Sequence, residues 1–417
     1  MTAPWAGRRL HLIGAGGAGM SAYALAAHAL GAQVTGSDRA ESPYLAPLRA
    51  AGIAVAIGHD ADNVPAGDDV EVVHSTAIPA DNPERAAARE RGLPDRSRAE
   101  LLGELTRLRK VIAVAGAHGK TTTTSMIAHA LLALGADPGY LIGGELVGTG
   151  SNASWGTGEW LVVEADESDR SFLALDVDVA VVTNIELDHV DQYATLAELE
   201  EAYRAFLNGA AVRLEGPWRV DDLGGVAVEL SVPGAHNVEN AVAALRAIGA
   251  AGFDVVAAAA ALRDFRGAGR RFQELGATAS GARVIDDYAH HPTEVRATIE
   301  AARTLDPRRV VAVFQPHLFS RTAQFAREFG AALALADVAC VLDVYPARER
   351  AQDFPGVSGL RVAEAAADAA NGRTVMWLPA FDDAEPALRA LLRDGDLCLI
   401  LGAGDVDALG RRLVASA

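Results

Sequence analysis

The chain holds only two cysteines, Cys340 and Cys398, each inside an apolar run, ALADVACVLDV and DGDLCLILG. A disulfide framework is thereby excluded, and buried strand thiols fit both runs. Long apolar stretches are missing too: none reaches the ~18 residues that a membrane-spanning helix needs. The chain passes from Met1 through Arg8 and Arg9 straight into LHLIG, without the apolar stretch of a signal peptide, so a cytoplasmic protein is expected. Positive charge is scarce. The formal net charge is -18 at pH 7, which argues against a nucleic-acid or membrane-surface partner, because either needs a basic face. Small anionic substrates stay open, since backbone N–H groups, helix N-termini and a few placed cations hold them locally. Lysine is rarest: Lys110 and Lys120 are the only two, and arginine supplies the rest. No short-period repeat and no low-complexity linker interrupts the chain.

What is present is an alternation of β-branched or aliphatic runs with Ala/Leu-rich helical segments. Over 417 residues this reads as an α/β protein of two or three domains with largely parallel sheets. The first stretch carries LHLIGAGGAGM, QVTGSD, IAVAIG and VEVVHSTAI and ends in a charged helix from about Arg96 to Arg109. A second begins at KVIAVAGAHGKTTTTSMIAHALLALG, continues with WLVVEAD and VDVAVVTNI, and closes with one or two helices over Asn240 to Leu262. The third starts near Arg270-Arg271 and holds RVIDDYAHHP, VVAVFQP, VACVLDVYPA, TVMWLP and DLCLILGAGDV. Its polar residues fall at the C-terminal ends of strands, where open α/β sheets bind ligands.

The strongest motif is Ala115-Gly116-Ala117-His118-Gly119-Lys120-Thr121-Thr122, between an apolar strand and a helix. Such a loop offers backbone N–H groups to phosphate oxygens, a lysine for the β/γ charge and a hydroxyl for Mg²⁺. Val114 stands where the common G-x-x-x-x-G-K-[ST] pattern has its first glycine, so this is a short form of the loop. Two later strands end in Glu164-Ala165-Asp166-Glu167-Ser168-Asp169 and Asn184-Ile185-Glu186-Leu187-Asp188-His189. Carboxylates at strand ends beside a phosphate loop suit Mg²⁺; singly, the same Asp and Ser residues also read as helix caps.

Gly14-Ala15-Gly16-Gly17-Ala18-Gly19, with Asp38 after the next strand, is a passable dinucleotide fingerprint and by itself allows an NAD-linked oxidoreductase. Pro233-Gly234-Ala235-His236-Asn237-Val238-Glu239-Asn240 puts two asparagines on one face of a starting helix, and alone reads as a helix cap. In the third stretch Arg270-Arg271-Phe272, Asp286-Asp287-Tyr288-Ala289-His290-His291, Gln315-Pro316-His317, Arg321 and Asp343 to Glu349 form a constellation that could bind a small carboxylate or serve as a salt-bridge network.

These strings together, from Leu10 to Gly402-Ala403-Gly404-Asp405, resemble the Mur ligases, and within them the branch that adds L-alanine to UDP-N-acetylmuramate. The resemblance implies three domains: a Rossmann-like UDP-sugar domain at 1–108, a phosphate-loop ATPase domain with a mostly parallel sheet at 109–268, and a Rossmann-like amino-acid domain at 269–417. It implies ATP and Mg²⁺ as cofactors, a monomer or homodimer, and an acyl-phosphate route to the amide. Gly116, Ala117, His118, Gly119, Lys120, Thr121 and Thr122 would hold ATP, with Asn237 and Asn240 near adenine and ribose. Thr121, Glu164 and His189 would hold magnesium. Arg271 would meet the ATP phosphates on closure, and Lys120, Glu164, His189, Arg271 and Asp287 would form the catalytic set.

By the same resemblance Gly14, Gly16, Gly17, Gly19, Ser21, Asp38 and Ser75 belong to the UDP-sugar site, which favours a nucleotide sugar over NAD at the glycine loop. Asn82-Pro83-Glu84 matches that domain as well. His290, His291, His317 and Arg321 would line the amino-acid pocket. The strings RRFQ, DDYAHHPTE and FQPH favour free L-alanine over the peptide acceptor of the muropeptide-recycling ligases. Several sister ligases use a carbamylated lysine, but no lysine follows Lys120, so this chain would work without one. One departure is large. Only residues 208–232 separate Leu207 from Pro233, where relatives carry a longer antiparallel excursion. Motifs on both sides survive, which favours a trimmed enzyme over a non-catalytic nucleotide-sugar binder.

Overall fold

The structure, a computed structural model, describes residues 3–187 and 192–415. The chain opens with β1 (Arg9–Ile13), α1 (Ala18–Ala29), β2 (Gln33–Asp38), α2 (Leu45–Ala50), β3 (Ala54–Ile57), β4 (Val70–His74), α3 (Pro83–Glu90), β5 (Asp95–Ser97) and α4 (Arg98–Thr106). The strands form a parallel sheet in the order β3-β2-β1-β4-β5. The charged helix is shorter than its sequence suggests. Asp95 to Ser97 pair with β4 as a fifth strand, and Ser97 with Glu100 builds a capping box that starts α4 at Arg98.

Next come β6 (Lys110–Ala115), α5 (Lys120–Ala133), β7 (Gly139–Leu146), β8 (Ser151–Ser154), β9 (Trp160–Glu164), β10 (Val179–Val182), α6 (Leu196–Asn208), β11 (Val212–Glu215), α7 (Ala235–Ala250) and α8 (Val255–Ala261). The sheet order is β11-β10-β6-β9-β7-β8, parallel except for the β7–β8 pair. GYLIGGEL and SNAS, rich in glycine and polar residues, lack the alternation that marks strands, so this pair is not evident in the sequence. The trimmed stretch keeps β11 as a parallel edge strand, then makes one 3₁₀ turn at Val220–Leu223. Among the described residues no further strand precedes α7.

The last segment holds β12 (Gln273–Ala277), β13 (Arg283–Asp287), α9 (Pro292–Arg303), β14 (Arg309–Phe314), α10 (Phe319–Leu333), β15 (Val338–Val341), α11 (Gly359–Ala369), β16 (Thr374–Trp377), α12 (Phe381–Leu391), β17 (Asp396–Leu401) and α13 (Asp407–Val414). Its sheet runs β12-β13-β17-β14-β15-β16, with only β12 antiparallel. Alternation along β14 sends Val310, Ala312 and Phe314 to one core and Val311 and Val313 to the other. Cys340 and Cys398 lie in the second core, and burial pushes the Cys340 thiol up to about 12.

The three sheets fall into two compact units. One comprises the chain up to Ser231 together with Val238–Ala268, the other Val232–Asn237 together with the chain from Gly269. The first unit contains two sheets because a single apolar core joins them: Tyr23, Leu101 and Leu105 belong to the same cluster as Ala165, Phe172 and Tyr203. Among the described residues no helix is long and apolar enough to cross a membrane.

Candidate active site

The short phosphate loop is shaped by its neighbours. Gly116 has φ +133°, and a Cβ there would lie 2.1 Å from Thr183 Oγ1, so only glycine fits. The loop is stapled to the end of β10: Ala117 N donates to Asn184 O at 3.1 Å, His118 N donates to Asn184 Oδ1 at 2.9 Å, and Thr183 Oγ1 donates to His118 O at 2.5 Å. Gly119, the residue before α5, has φ +79° and lies so close to Asn240 that a Cβ would fall 2.2 Å from its Oδ1. Asn240 thus rests against the loop.

Lys120 opens α5. Its Nζ donates to Gly116 O at 2.6 Å and pairs with Glu167 Oε1 at 2.8 Å. Burial works against its charge, but Glu167 and Asp166 outweigh that and hold its pKa above the ordinary value. Thr121 Oγ1 donates to Glu164 Oε1 at 3.0 Å, while Gly143 N donates to the other oxygen at 2.7 Å. A hydroxyl and a carboxylate side by side at a phosphate loop are hard oxygen donors of the kind Mg²⁺ takes, so the residues present fit that ion. Thr122 is buried. His118 pairs with Glu186 at 3.2 Å. His189 lies outside the described residues.

At the glycine loop, Gly14 has φ +85° and faces Ser75, whose Oγ would be 3.1 Å from a Cβ. Asp38 Oδ2 accepts from Gly16 N at 2.8 Å, and Ser42 Oγ donates to Gly16 O at 2.8 Å. Asp38 therefore shapes the loop itself. Gly17 precedes α1, Gly19 lies in its first turn, and Ser21 Oγ donates to Ala18 O at 2.9 Å. Asn152 on β8 donates to the same Ala18 carbonyl at 2.7 Å, tying the loop to the central sheet. Glu84 is buried inside the first sheet's flank, accepting from Ser37 Oγ at 2.6 Å and paired with His11 at 2.8 Å and His59 at 3.0 Å.

Sequence reasoning passed over Arg98. It sits at the first position of α4, pairs through Nε with Asp169 at 2.7 Å and through Nη2 with Asp166 at 2.6 Å. Burial opposes its charge, and Asp166 with Asp169 more than offset this, raising its pKa. A signal existed: a cation in the first turn of a helix faces the positive end of the dipole, so an arginine directly after the N-cap serine needs another partner. Asn152 carries no comparable sequence signal.

In the second unit, Asp287 at the end of β13 accepts from Phe272 N at 2.9 Å and Ala289 N at 2.8 Å. Burial pushes its carboxyl up to about 6 despite Arg271 and those two donors. Arg271 lies 5.0 Å from the Tyr288 ring and 3.7 Å from Glu294. Arg270 is spoken for, held by Asp286 at 3.0 Å and donating to Gly402 O and Gly404 O. His290, His317, Tyr345 and Arg321 come together: the two imidazoles are 6.2 Å apart, His317 stacks on Tyr345, and Arg321 Nη1 is 3.4 Å from His317 Nδ1. His291 instead caps α9 and packs edge-on against Phe325, 5.1 Å away. Asn237 donates to Pro233 O at 2.6 Å.

Three family models match the chain: "Mur ligase family, catalytic domain" over residues 9–110, "Mur ligase middle domain" over 114–214 and "Mur ligase, glutamate ligase domain" over 270–404. The UDP-N-acetylmuramate–L-alanine ligase of Pelotomaculum thermopropionicum is 43% identical over 453 aligned positions, covering 98% of this chain and 97% of the relative. That alignment is longer than the chain, so the relative carries residues this chain lacks. The solved UDP-N-acetylmuramate-alanine ligase of Thermotoga maritima is similar at TM-score 0.82 and 29% identity, covering 97% of this chain and 98% of the other. The murein peptide ligase of Psychrobacter arcticus is similar at TM-score 0.70 and 27% identity, covering 98% of each. The chain belongs to the Mur ligase family, ATP-dependent enzymes that form amide bonds.

Proposed function

We propose that this protein joins L-alanine to the carboxylate of UDP-N-acetylmuramate, forming ADP and phosphate, in the cytoplasm during peptidoglycan precursor synthesis. The observation that carries the reading is a glycine loop suited to a pyrophosphate and a phosphate loop suited to ATP in one compact unit, in a chain 43% identical to a UDP-N-acetylmuramate–L-alanine ligase. The boundaries 1–108, 109–268 and 269–417 are part of the proposal, as is a monomer or homodimer.

A free carboxylate is a poor electrophile. In the first step one carboxylate oxygen bonds to the γ-phosphorus while the β–γ bridging bond breaks, and ADP leaves with the electron pair. The neutral alanine amine then attacks the acyl carbon, inorganic phosphate leaves with the electron pair of the C–O bond, and the nitrogen gives up one proton while keeping the other as the amide N–H. Around the loop, Lys120 and Arg98 face Glu164, Asp166, Glu167 and Asp169, two cations against four carboxylates. A further cation is required there before a polyphosphate enters. Thr121 and Glu164, with His189 by resemblance, would hold Mg²⁺, which supplies charge neutralisation at the phosphates. Lys120 would offset charge on the β/γ oxygens. Arg271, Asp287, His290, His291, His317 and Arg321 would serve the nucleotide phosphates and the amino acid.

Phosphate release from Mg-ATP, measured with and without UDP-N-acetylmuramate and L-alanine, tests the proposal. Release that needs both substrates is the expected result. Release with a tripeptide but not with L-alanine would assign the recycling reaction, and nucleotide-sugar binding without release would assign a non-catalytic binder.

A further inference from the structure

Arg98 has three donor atoms, and the two aspartates occupy only two of them. Nε goes to Asp169 and Nη2 to Asp166, whereas Nη1 donates to no described residue. That third nitrogen lies 3.5 Å from the point where a Cβ on Gly19 would be, and the Tyr23 hydroxyl lies 3.7 Å from the same point. The Tyr23 hydroxyl likewise has no hydrogen-bond partner among the described residues. Burial pushes the Tyr23 phenol up to about 12, so it is a donor at neutral pH. Two donors, one of them cationic, therefore converge beside the first turn of α1 with hydrogen-bonding capacity left over.

Their place in the unit matters. Gly19 belongs to the loop read as the pyrophosphate cradle, while Asp166 lies two residues beyond Glu164, which accepts from Thr121 of the ATP loop. Arg98 thus spans the interval between the two loops. In the ligase reaction the sugar's carboxylate must leave the first loop and meet the γ-phosphate at the second, anion against anion. A guanidinium fixed by two carboxylates is already oriented, so little rotamer freedom is lost when it takes a third.

We propose that Arg98 Nη1 and the Tyr23 hydroxyl bind the reacting carboxylate of the nucleotide sugar. The inference rests on the ligase reading above. It makes these two residues the feature that tells a muramyl sugar from one without the carboxylate.

Calorimetry with two nucleotide sugars tests it. UDP-N-acetylglucosamine shares the uridine diphosphate and the sugar but has no carboxylate. Arg98→Lys is expected to weaken UDP-N-acetylmuramate at least tenfold while leaving UDP-N-acetylglucosamine and ADP within twofold. Tyr23→Phe removes only the hydroxyl and is expected to show the same selectivity in smaller measure, three- to tenfold. Tyr23→Phe decides the question if Arg98→Lys does not fold. Equal losses for both sugars, or no loss for either, would overturn the assignment, because a fastening role for Arg98 has no reason to sense the carboxylate. If the unaltered protein binds neither sugar, the ligase reading itself fails, and that outcome is distinct from a failure confined to the variants.

Discussion

The indole Nε1 of Trp218 donates to the carbonyl oxygen of Thr183 at 2.7 Å, and the Thr183 hydroxyl donates in turn to His118 O in the phosphate loop. The shortened segment between Leu207 and Pro233 therefore does more than close a gap. Its one large aromatic is buried beneath the loop that would hold ATP.

Trp218→Phe keeps most of the ring and deletes the donor, leaving a buried carbonyl unsatisfied. Stability should fall by about 1–3 kcal/mol in a urea titration, with a raised KM for ATP. Wild-type unfolding in this variant would show that the bond supports nothing. Trp218→Ala adds a cavity and should cost about 3–5 kcal/mol.

Lys120→Ala should lower substrate-dependent ADP formation by at least ~10²-fold, the scale seen when one charge-stabilising donor is lost from an active site. Glu167→Gln neutralises the carboxylate partner of Lys120, which still donates to Gly116 O. About a tenfold fall in kcat is expected there. Unchanged ADP formation in the Lys120 variant would sink the ATP assignment.

Glu84 illustrates a polar group that holds a domain together. Burial alone would raise its pKa, but hydrogen bonds from His11, Ser37, Asn63 and His59 outweigh it and bring it down to about 2 from 4.5. Since the folded value is depressed, the stabilisation is present above pH 4.5 and is lost as pH falls through about 2. Glu84→Gln should cost about 3 kcal/mol at pH 7 and flatten the acid limb of the stability curve. Urea titrations across that range check it.

Asp287 has the opposite sign. Burial comes first among the causes and lifts its carboxyl from 3.8 to about 6. With the folded value raised, its contribution is full below pH 3.8 and is lost as pH rises through about 6. The stability difference between pH 4 and pH 7 should therefore shrink by about 2–3 kcal/mol in Asp287→Asn, measured against the unaltered protein. An identical pH slope in the variant would remove the buried-carboxylate explanation.

Local elements were legible in the chain because their physics is local. The loop from Gly116 to Thr122 is a strand, a turn with positive φ and a helix N-terminus, all within a few residues, and the structure places it there. Strands such as β14 and β17, apolar on both faces, announce a covered parallel sheet. The weak spots were segments whose pairing depends on a partner. β7, β8 and β12 carry glycine and polar residues that make a strand only when a neighbouring edge supplies the hydrogen bonds. Asp95 to Ser97 became strand for the same reason.

By itself, then, the sequence determined the fold class, the phosphate and glycine loops, the carboxylates at the strand ends and the fate of both cysteines. Tertiary structure decided which of these side chains meet. Arg98 finds Asp166 across 68 positions, His11 finds Glu84 across 73, and Trp218 finds Thr183 across 35. It also turned His291 into a helix cap beside a His290 that joins His317, although the two histidines are adjacent in the chain. Such pairings follow from strand order and from which face of a helix is buried. Both are settled only when the sheets assemble, because a charge or donor in a local string carries no record of the partner that burial will bring to it.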